Sequence, residues 1–255
     1  MAVCTLNFCS RYLKKSTELT LVIPDSSHIG GRALSERKVL WLLHGLSNND
    51  TAWVRLSRIE CYCEEHDLVA VMPDGERSFY SDDFHGQNYF GYITEELPEY
   101  LEQVFGLSRR REDNFIAGLS MGGYGALRMG LTYPEHYFAV GSFSGVTDLR
   151  GLFLPELMTP ERVHDFAFLK EQVGDPAASP MNPPVLLDPE KDKDLKLYIS
   201  CGLEDDLLAL SYAFEARCRE LGIPYRCEHP HGGHEWNEWD RAVQSFIRFA
   251  LEEEK

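Results

Sequence analysis

The stretch Gly118-Leu119-Ser120-Met121-Gly122-Gly123 decides the fold, because it places a serine between glycines at the junction of two elements. A short apolar run over Asn114-Phe115-Ile116-Ala117 precedes it and predicts a strand, and a helix-like stretch follows. In so tight a turn the side chains beside the serine would collide, and glycine at positions 118 and 122 removes these collisions. The pattern predicts a nucleophile elbow, in which Ser120 Oγ projects from the top of a sheet and can form an acyl-enzyme intermediate.

The other apolar runs predict a mostly parallel central sheet flanked by helices. The runs 39–43 and 68–72 are apolar on both faces, as strands are when helices cover a parallel sheet. Further strands are predicted at 19–23, 138–143, 195–201 and 224–229, and helices at 56–66, 94–105, 206–221, 237–252 and from Ser120 to near Pro134. This alternation indicates the α/β class. We interpret 25–38 as a loop and the proline-rich segment 146–194 as a small cap or insertion over the site.

Length, composition and charge narrow the class of protein. A chain of 255 residues, 44% of them hydrophobic, suits a single α/β domain spanning residues 1–255. The net charge of −16 argues against a nucleic-acid partner, since phosphate binding relies on Lys and Arg, and it disfavours anionic membrane surfaces. Neither a secretory signal nor a membrane-spanning run is visible, and seven cysteines without a framework spacing suit free thiols. We expect a cytoplasmic protein.

A serine nucleophile needs a base, which in turn needs an orienting acid. On the α/β-hydrolase fold that an elbow predicts, these partners follow in the order serine, acid, histidine. The stretch Cys201-Gly202-Leu203-Glu204-Asp205-Asp206 comes directly after an apolar strand, and sites on open parallel sheets form at strand carboxyl ends. Asp205 is the predicted acid, with Asp206 and Glu204 as alternatives. One of the three could instead cap the helix that begins near Asp206.

The base is predicted in the stretch Glu228-His229-Pro230-His231-Gly232-Gly233-His234-Glu235-Trp236. His234 stands just before the final helix, on a loop that the glycines allow to approach Ser120. His231 is the alternative base, and His229 is assigned a structural place at the strand end. The His-x-His-x-x-His spacing could also supply metal ligands, but no H-E-x-x-H motif occurs and the cysteine spacings fit no zinc site. We predict no metal.

An oxyanion hole needs two backbone N–H groups, one after the nucleophile and one from the loop after an earlier strand. Met121 offers the first. The stretch Leu42-Leu43-His44-Gly45-Leu46-Ser47 offers the second through the N–H of Leu46, because Gly45 lets that backbone come close. His44 precedes the serine in the chain, so we expect it to brace this loop rather than act as the base.

Four blocks of sequence, in their order along the chain, indicate a protein family. They are Leu43-His44-Gly45-Leu46 followed by Trp53, Met72-Pro73-Asp74-Gly75, Ala117-Gly118-Leu119-Ser120-Met121-Gly122-Gly123-Tyr124-Gly125, and Gly233-His234-Glu235-Trp236. Together they resemble the esterase D-like α/β-hydrolases, with bacterial tributyrin esterases as the nearest members. Feruloyl and acetylxylan esterases, S-formylglutathione hydrolases and mycolyltransferases are more distant relatives.

The resemblance implies the catalytic residues Ser120, Asp205 and His234, with Leu46 and Met121 as oxyanion donors. It also implies no cofactor, a preference for short acyl chains and, commonly, a homo-oligomer. The chain departs from the family in the run Glu204-Asp205-Asp206, which has an extra acid beside the expected one. The choice of acid stays open at this point.

Several aromatic residues near the motif loops are candidates for substrate binding. These are Trp53, Tyr80 and Trp236, together with Phe79 and, from the insertion, Phe153, Phe166 and Phe168. The alternative is that each of them packs in the core.

These features predict a serine carboxylesterase acting on a small-molecule ester of a short acyl chain. Enzymatic alternatives are an S-formylglutathione hydrolase and a feruloyl or acetylxylan esterase. The non-enzymatic alternative is a hydrolase-like fold kept as a binding module. Such modules usually lose the nucleophile or the base, whereas this chain keeps every candidate.

Overall fold

The computed structural model describes residues 1–25, 31–82, 86–153 and 160–252, with only the backbone for 160–165. Within these residues eight strands form one sheet in the order β1-β2-β4-β3-β5-β6-β7-β8. The strands are β1 Ala2–Ser10, β2 Lys15–Ile23, β3 Lys38–Leu43, β4 Leu68–Pro73, β5 Asn114–Leu119, β6 Ala139–Phe143, β7 Lys196–Ser200 and β8 Tyr225–Glu228.

Helices lie between and after these strands. They are α1 Ala52–Leu56, α2 Ile59–His66, α3 Tyr89–Gly91, α4 Leu97–Phe105, α5 Met121–Thr132, α6 Leu149–Leu152, α7 Pro160–Val173, α8 Pro183–Leu186, α9 Leu208–Leu221 and α10 Trp236–Ala250. A π-helical turn, Tyr92–Glu96, joins α3 to α4, and 3-10 turns occupy Leu34–Glu36 and Arg111–Asp113. None of the helices described has both the length and the apolar character to cross a membrane.

The pairing of the strands confirms the predicted mostly parallel α/β sheet. Strands β3 to β8 run parallel to one another. Strand β1 pairs antiparallel with β2, and β2 pairs antiparallel with β4. Alternate residues of β3 enter two different cores: Val39, Trp41 and Leu43 pack on one side of the sheet, and Leu40 and Leu42 on the other. A strand buried on both faces has to be apolar throughout, which explains the continuous apolar runs.

Parallel pairing also brings the functional loops together. Because β3, β5, β7 and β8 point the same way, the segments that follow their last residues all emerge at one edge of the sheet. Ser120 follows β5, and Asp205 lies in the loop after β7. His234 lies in the loop after β8, and Leu46 in the loop after β3.

Strand β1 is absent from the elements predicted from the sequence. Its partners on β2 include Thr5↔Thr20 and Leu6↔Leu19. Cys4, Leu6 and Phe8 pack against the core while the residues between them are exposed. A period-two signal was thus present, but the exposed apolar Val3 and Cys9 interrupt it at both ends.

Two helix predictions differ from the structure at their beginnings. The helix predicted over 56–66 is divided into α1 and α2 at Ser57, whose backbone is extended with φ −133° and ψ 179°. The helix predicted over 94–105 begins earlier, at α3, and passes through the π-helical turn. Glu96 in that turn is buried and accepts a hydrogen bond from Arg11 N (2.7 Å) and another from Ser10 Oγ. The wider turn thus aims a carboxylate at the β1–β2 connection.

The predicted insertion 146–194 contains α6, α7 and α8, with residues 154–159 outside the described chain. Phe166 of α7 is buried and its ring lies edge-on to that of Phe79, with centroids 5.1 Å apart. Asn182 is also buried; its Oδ1 accepts from Leu149 N (2.8 Å) and its Nδ2 donates to Asp148 Oδ1 (3.1 Å). The described part of the insertion is therefore continuous with the main core. Residues 26–30 of the predicted loop 25–38 also lie outside the described chain.

Candidate active site

Ser120 occupies a strained turn between β5 and α5. Its φ of 54° and ψ of −116° place a non-glycine residue at positive φ, a conformation that the surroundings must enforce. The glycines beside it have no room for a side chain. A Cβ on Gly118 would lie 2.5 Å from the backbone carbon of Gly122, and a Cβ on Gly122 would lie 2.4 Å from Leu43 O. Glycine is thus required here by contact with backbone, as the elbow pattern predicts.

His234 and Asp205 continue a line of hydrogen bonds from Ser120. The Oγ of Ser120 lies 3.0 Å from His234 Nε2. His234 Nδ1 lies 3.0 Å from Asp205 Oδ2 and 3.3 Å from Oδ1. Because Nδ1 faces a carboxylate it carries the ring proton, which leaves Nε2 as the acceptor for the serine hydroxyl. The imidazole is 36% exposed, so small molecules can reach it, whereas the carboxylate of Asp205 is fully buried.

Hydrogen bonds keep the buried Asp205 carboxylate ionised. Burial acts to raise its pKa, but hydrogen bonds from His234, the N–H of Leu207 and Ser144 outweigh that effect and hold the pKa below its ordinary value. The Leu207 N–H donates to Oδ1 over 2.8 Å, just before α9 begins at Leu208. Asp205 therefore faces His234 and also accepts from the residue before the helix. The capping alternative is not borne out, because Leu207 is the N-cap residue of α9 and no side chain caps that helix.

The other two acids of the cluster lie elsewhere. Asp206 is exposed. Glu204 is also exposed and binds the histidine loop: its carboxylate accepts from Gly232 N (2.6 Å) and lies 3.0 Å from His231 Nδ1. The hydrogen bond with His231 has the larger effect and that from Gly232 N the next, and both lower the pKa of Glu204. Glu204 N also donates to Gly232 O (3.1 Å), so this residue fastens the loop after β7 to the loop after β8.

Each of the three clustered histidines pairs with a different carboxylate. His229 Nε2 lies 2.7 Å from Glu215 Oε1, His231 contacts Glu204, and His234 contacts Asp205. The His-x-His-x-x-His spacing therefore does not bring its rings to one point. Of the three, His234 is the one whose ring contacts Ser120.

The loop after β3 reaches the nucleophile as predicted. A Cβ on Gly45 would lie 2.5 Å from Leu119 Cδ1 and 3.5 Å from Ser120 Cβ, so the next residue, Leu46, begins beside the serine. Among the residues that the structure describes, no hydrogen-bond acceptor faces the backbone N–H of Leu46 or of Met121. These two N–H groups are thus available to a further acceptor.

His44 braces this loop from the protein interior. Its buried ring places Nδ1 2.8 Å from Gly45 O. The Nε2 atom lies 2.9 Å from Gly75 N and 3.3 Å from Asp74 Oδ1. Hydrogen bonds from His44 help to lower the pKa of Asp74, although burial opposes them. His44 makes no contact with Ser120 and joins the loops after β3 and β4, as the sequence analysis expects.

Two of the predicted substrate-binding residues are corrected by their burial. Trp53 and Tyr80 are both 0% exposed, so neither offers a surface to a ligand. Trp53 Nε1 donates to Leu43 O (3.1 Å) and Tyr80 Oη donates to His44 O (2.8 Å). These two hydrogen bonds stabilise the backbone where β3 ends and the loop after it begins. Phe79 and Phe166 are buried as well, whereas Phe153 and Phe168 are half-buried.

Trp236 remains a candidate for substrate contact, and Trp239 joins it. Trp236 is half-buried, and its ring lies 5.2 Å from that of Trp53 and 5.3 Å from that of Trp239. Trp239 is buried and stands nearly perpendicular to the His234 imidazole, with ring centroids 4.9 Å apart. Trp239 is not among the residues predicted from the sequence, although an aromatic residue five positions after the predicted base was a usable signal. Ser144 is not among them either, because a small polar residue at a strand end is too weak a signal.

Comparisons with known proteins show the family of this chain. Residues 10–248 match the family model named Esterase. An acetyl esterase from Caldicellulosiruptor saccharolyticus is 30% identical over 254 residues, covering 95% of this chain and 96% of the relative. Two solved structures from Staphylococcus aureus are each 31% identical over 98% of both chains. One is FphF, a fluorophosphonate-binding serine hydrolase, with a TM-score of 0.86; the other is the S-formylglutathione hydrolase FrmB, with 0.84.

Proposed function

Because the chain belongs to the Esterase family and is a carboxylic ester hydrolase, we propose that it is a serine carboxylesterase for short-chain acyl esters. The observation that carries this proposal is the unbroken line of hydrogen bonds from Ser120 Oγ through both nitrogens of His234 to Asp205. No cofactor enters the proposed reaction.

The acylation step uses this line directly. His234 Nε2 takes the hydroxyl proton as Ser120 Oγ attacks the ester carbonyl carbon and forms a tetrahedral intermediate. Asp205 stays ionised, holds the ring tautomer and stabilises the imidazolium that forms. The lowered pKa of Asp205 suits that role, since a carboxylate that is already ionised needs no proton transfer of its own.

The developing oxyanion is assigned to the N–H groups of Leu46 and Met121. Their lack of an acceptor among the described residues supports this role, and so does the close approach of Gly45 to Ser120. Met121 is also the first residue of α5, whose amino end adds a positive potential at the same place. Loss of one such donor costs about 10²–10³-fold in turnover in a comparable site.

Collapse of the intermediate completes the first half of the reaction. The His234 imidazolium gives its proton to the departing alkoxide, and the acyl group stays on Ser120 Oγ. Water then attacks the acyl-enzyme, with His234 taking a proton from it. The ring returns that proton to Oγ as the carboxylic acid leaves, so the protein ends in its starting state.

The acyl group is proposed to be short because the chain is similar over its full length to a protein named acetyl esterase. A second candidate, hydrolysis of the thioester S-formylglutathione, is favoured by the similar identity, 31% against 30%, to a protein named as such a hydrolase. In either reaction Ser120 Oγ would attack the carbonyl carbon with His234 as the base, so the two candidate reactions differ in the leaving group.

Turnover on a matched substrate panel tests the proposal. Purified protein is assayed on p-nitrophenyl acetate, butyrate and octanoate, on S-formylglutathione and on methyl ferulate. The highest kcat/KM on the acetate or butyrate ester supports the proposal, whereas a higher value on S-formylglutathione favours the second candidate. Ser120→Ala is expected to lose on the order of 10⁶-fold in turnover and all labelling by a fluorophosphonate probe. Turnover near that of the wild type in this variant would exclude the mechanism.

We further infer that the protein works in the reducing cytoplasm. All seven cysteines are free thiols, and Cys9, Cys61 and Cys227 are exposed. Exposed free thiols persist where glutathione keeps them reduced. Incubation with oxidised glutathione should therefore modify the native protein, and full resistance to it would count against this inference.

A further inference from the structure

We propose that Glu215, Cys227 and His229 form a binding site for a zinc-type divalent cation, separate from Ser120. The three residues come from two elements. Cys227 belongs to β8 and His229 follows it, so both side chains lie on the same face of the edge strand, and Glu215 of α9 faces them. One ligand atom from each residue lies within 4.8 Å of the other two.

These donor types suit a borderline cation. A thiolate, an imidazole nitrogen and a carboxylate oxygen are the ligands that Zn²⁺ takes in proteins. Tetrahedral Zn²⁺ with bonds of about 2.0–2.3 Å requires donor atoms roughly 3.2–3.7 Å apart. His229 Nε2 and Glu215 Oε1 are already 2.7 Å apart, so binding would spread this pair slightly and draw Cys227 towards it. Cys227 is exposed and in no disulfide, and its thiol already hydrogen-bonds to the Glu215 carboxylate.

The surroundings orient the half-buried His229 and the buried Glu215. His229 Nδ1 lies 3.0 Å from Cys201 O, which keeps a proton on Nδ1 and turns Nε2 towards Glu215. A carbonyl partner on the far nitrogen is the usual outer support of a metal-binding histidine. The other carboxylate oxygen, Glu215 Oε2, lies 3.7 Å from Arg219 Nη1, so Oε1 is left facing His229.

The charges of the ligands also suit a divalent cation. Ligands bind a metal in their deprotonated forms, so a bound cation would meet the Glu215 carboxylate, a Cys227 thiolate and a neutral His229 imidazole. Two of these ligands are anionic and one is neutral. The resulting charge at the metal is balanced, and the net charge of −16 attracts cations to the surface.

Three protein ligands leave a fourth position for water, and the exposure of Cys227 keeps that position open to solvent. The site also lies at the base of both catalytic loops. His229 precedes the loop that carries His234, and its partner Cys201 precedes the loop that carries Asp205. A bound cation is therefore expected to stabilise the native protein.

Cobalt spectroscopy on tag-free protein tests the site. Co²⁺ bound to a thiolate gives a charge-transfer absorption that Co²⁺ bound to nitrogen and oxygen alone lacks. The wild type is expected to show this band at one equivalent of Co²⁺, and Zn²⁺ is expected to displace it. Cys227→Ser should abolish the band, while Cys9→Ser, which removes another exposed thiol far along the sheet, should keep it.

Affinity and stability measurements complete the test. His229→Gln and Glu215→Gln should each weaken Zn²⁺ binding at least about tenfold in competition with a chromogenic chelator, since even outer partners contribute 10–100-fold. Zn²⁺ should raise the Tm of the wild type and of His231→Gln but not that of Cys227→Ser. No thiolate band in the wild type, or an equal band in Cys227→Ser, would overturn the proposal. Ser120→Ala should bind the metal normally, so these readouts are independent of esterase activity.

Discussion

Trp239 stands almost at right angles to the imidazole of His234, with 84° between the rings and 4.9 Å between their centroids. The indole comes from the first turn of α10 and is buried against the core beneath the loop that carries His234. The contact limits rotation of the imidazole, whose two nitrogens must face Ser120 and Asp205 at the same time. We therefore expect Trp239 to position His234 for its proposed role as the base.

Replacing Trp239 by Leu should lower kcat more than it changes KM. A perpendicular aromatic contact contributes about 0.5–1.5 kcal/mol beyond burial, which corresponds to roughly three- to tenfold in turnover. Trp239→Phe keeps an aromatic ring beside His234 and should recover most of the lost kcat. Steady-state kinetics with p-nitrophenyl acetate measures this. Equal losses in the two variants would show that the indole supports only the fold.

Asp205→Asn should reduce turnover by about 10⁴-fold, because an amide no longer selects the imidazole tautomer that accepts from serine. Asp206→Asn is the matched control, since Asp206 is the next residue, carries the same charge and is exposed. It should retain activity close to that of the wild type. A large loss in the Asp206 variant with a small one in the Asp205 variant would transfer the acid role to Asp206.

The lowered pKa of Asp205 predicts how the stability gained from this carboxylate depends on pH. The folded-state pKa of Asp205 is below the ordinary value of 3.8, so its ionisation stabilises the fold above that pH. The contribution is lost as the pH falls through the lowered folded value. The Tm difference between the wild type and Asp205→Asn should therefore be constant near neutral pH and shrink below about pH 3.8. Thermal unfolding between pH 7 and pH 3 measures it, and a difference that grows on acidification would contradict the assignment.

Glu204→Ala should lower kcat several-fold by loosening the loop that carries His234. The substitution removes the acceptor for Gly232 N and for His231 Nδ1, while the backbone bond from Glu204 N to Gly232 O remains. Glu204→Gln retains an oxygen acceptor and should lie between Glu204→Ala and the wild type. Glu220→Ala, which removes another exposed glutamate far from the site, serves as the control and should leave kcat unchanged.

Gly122→Ala should impair both stability and turnover. The added Cβ would meet backbone at 2.4 Å from Leu43 O, and overpacking of this kind costs about 1–3 kcal/mol or more. The strand end must shift, and with it the oxyanion loop. Gly106→Ala is a suitable control, because Gly106 has a φ of 71° and open space around it. That variant should lower the Tm through backbone strain alone and leave kcat unchanged.

Local patterns predicted much of the fold because their physical causes are local. Continuous apolar runs identified β3, β4 and β5, since burial on both faces leaves no position for a polar residue. The glycines around Ser120 predicted the elbow, since only a missing Cβ allows that contact with the strand end. Strand β1 escaped prediction because exposed apolar residues, Val3 and Cys9, interrupt its alternation at both ends.

The sequence by itself determined the elbow, most strands of the sheet and a short set of candidate acids and bases, and the family resemblance that it carried is confirmed. Only the tertiary structure decided among the candidates. Parallel pairing brought loops more than a hundred residues apart to one edge of the sheet and assigned each histidine its own carboxylate. The tertiary structure also buries the side chains of Trp53 and Tyr80, whose polar atoms donate to the backbone carbonyls of Leu43 and His44. Such choices depend on distances between segments remote in the chain, which no local pattern contains.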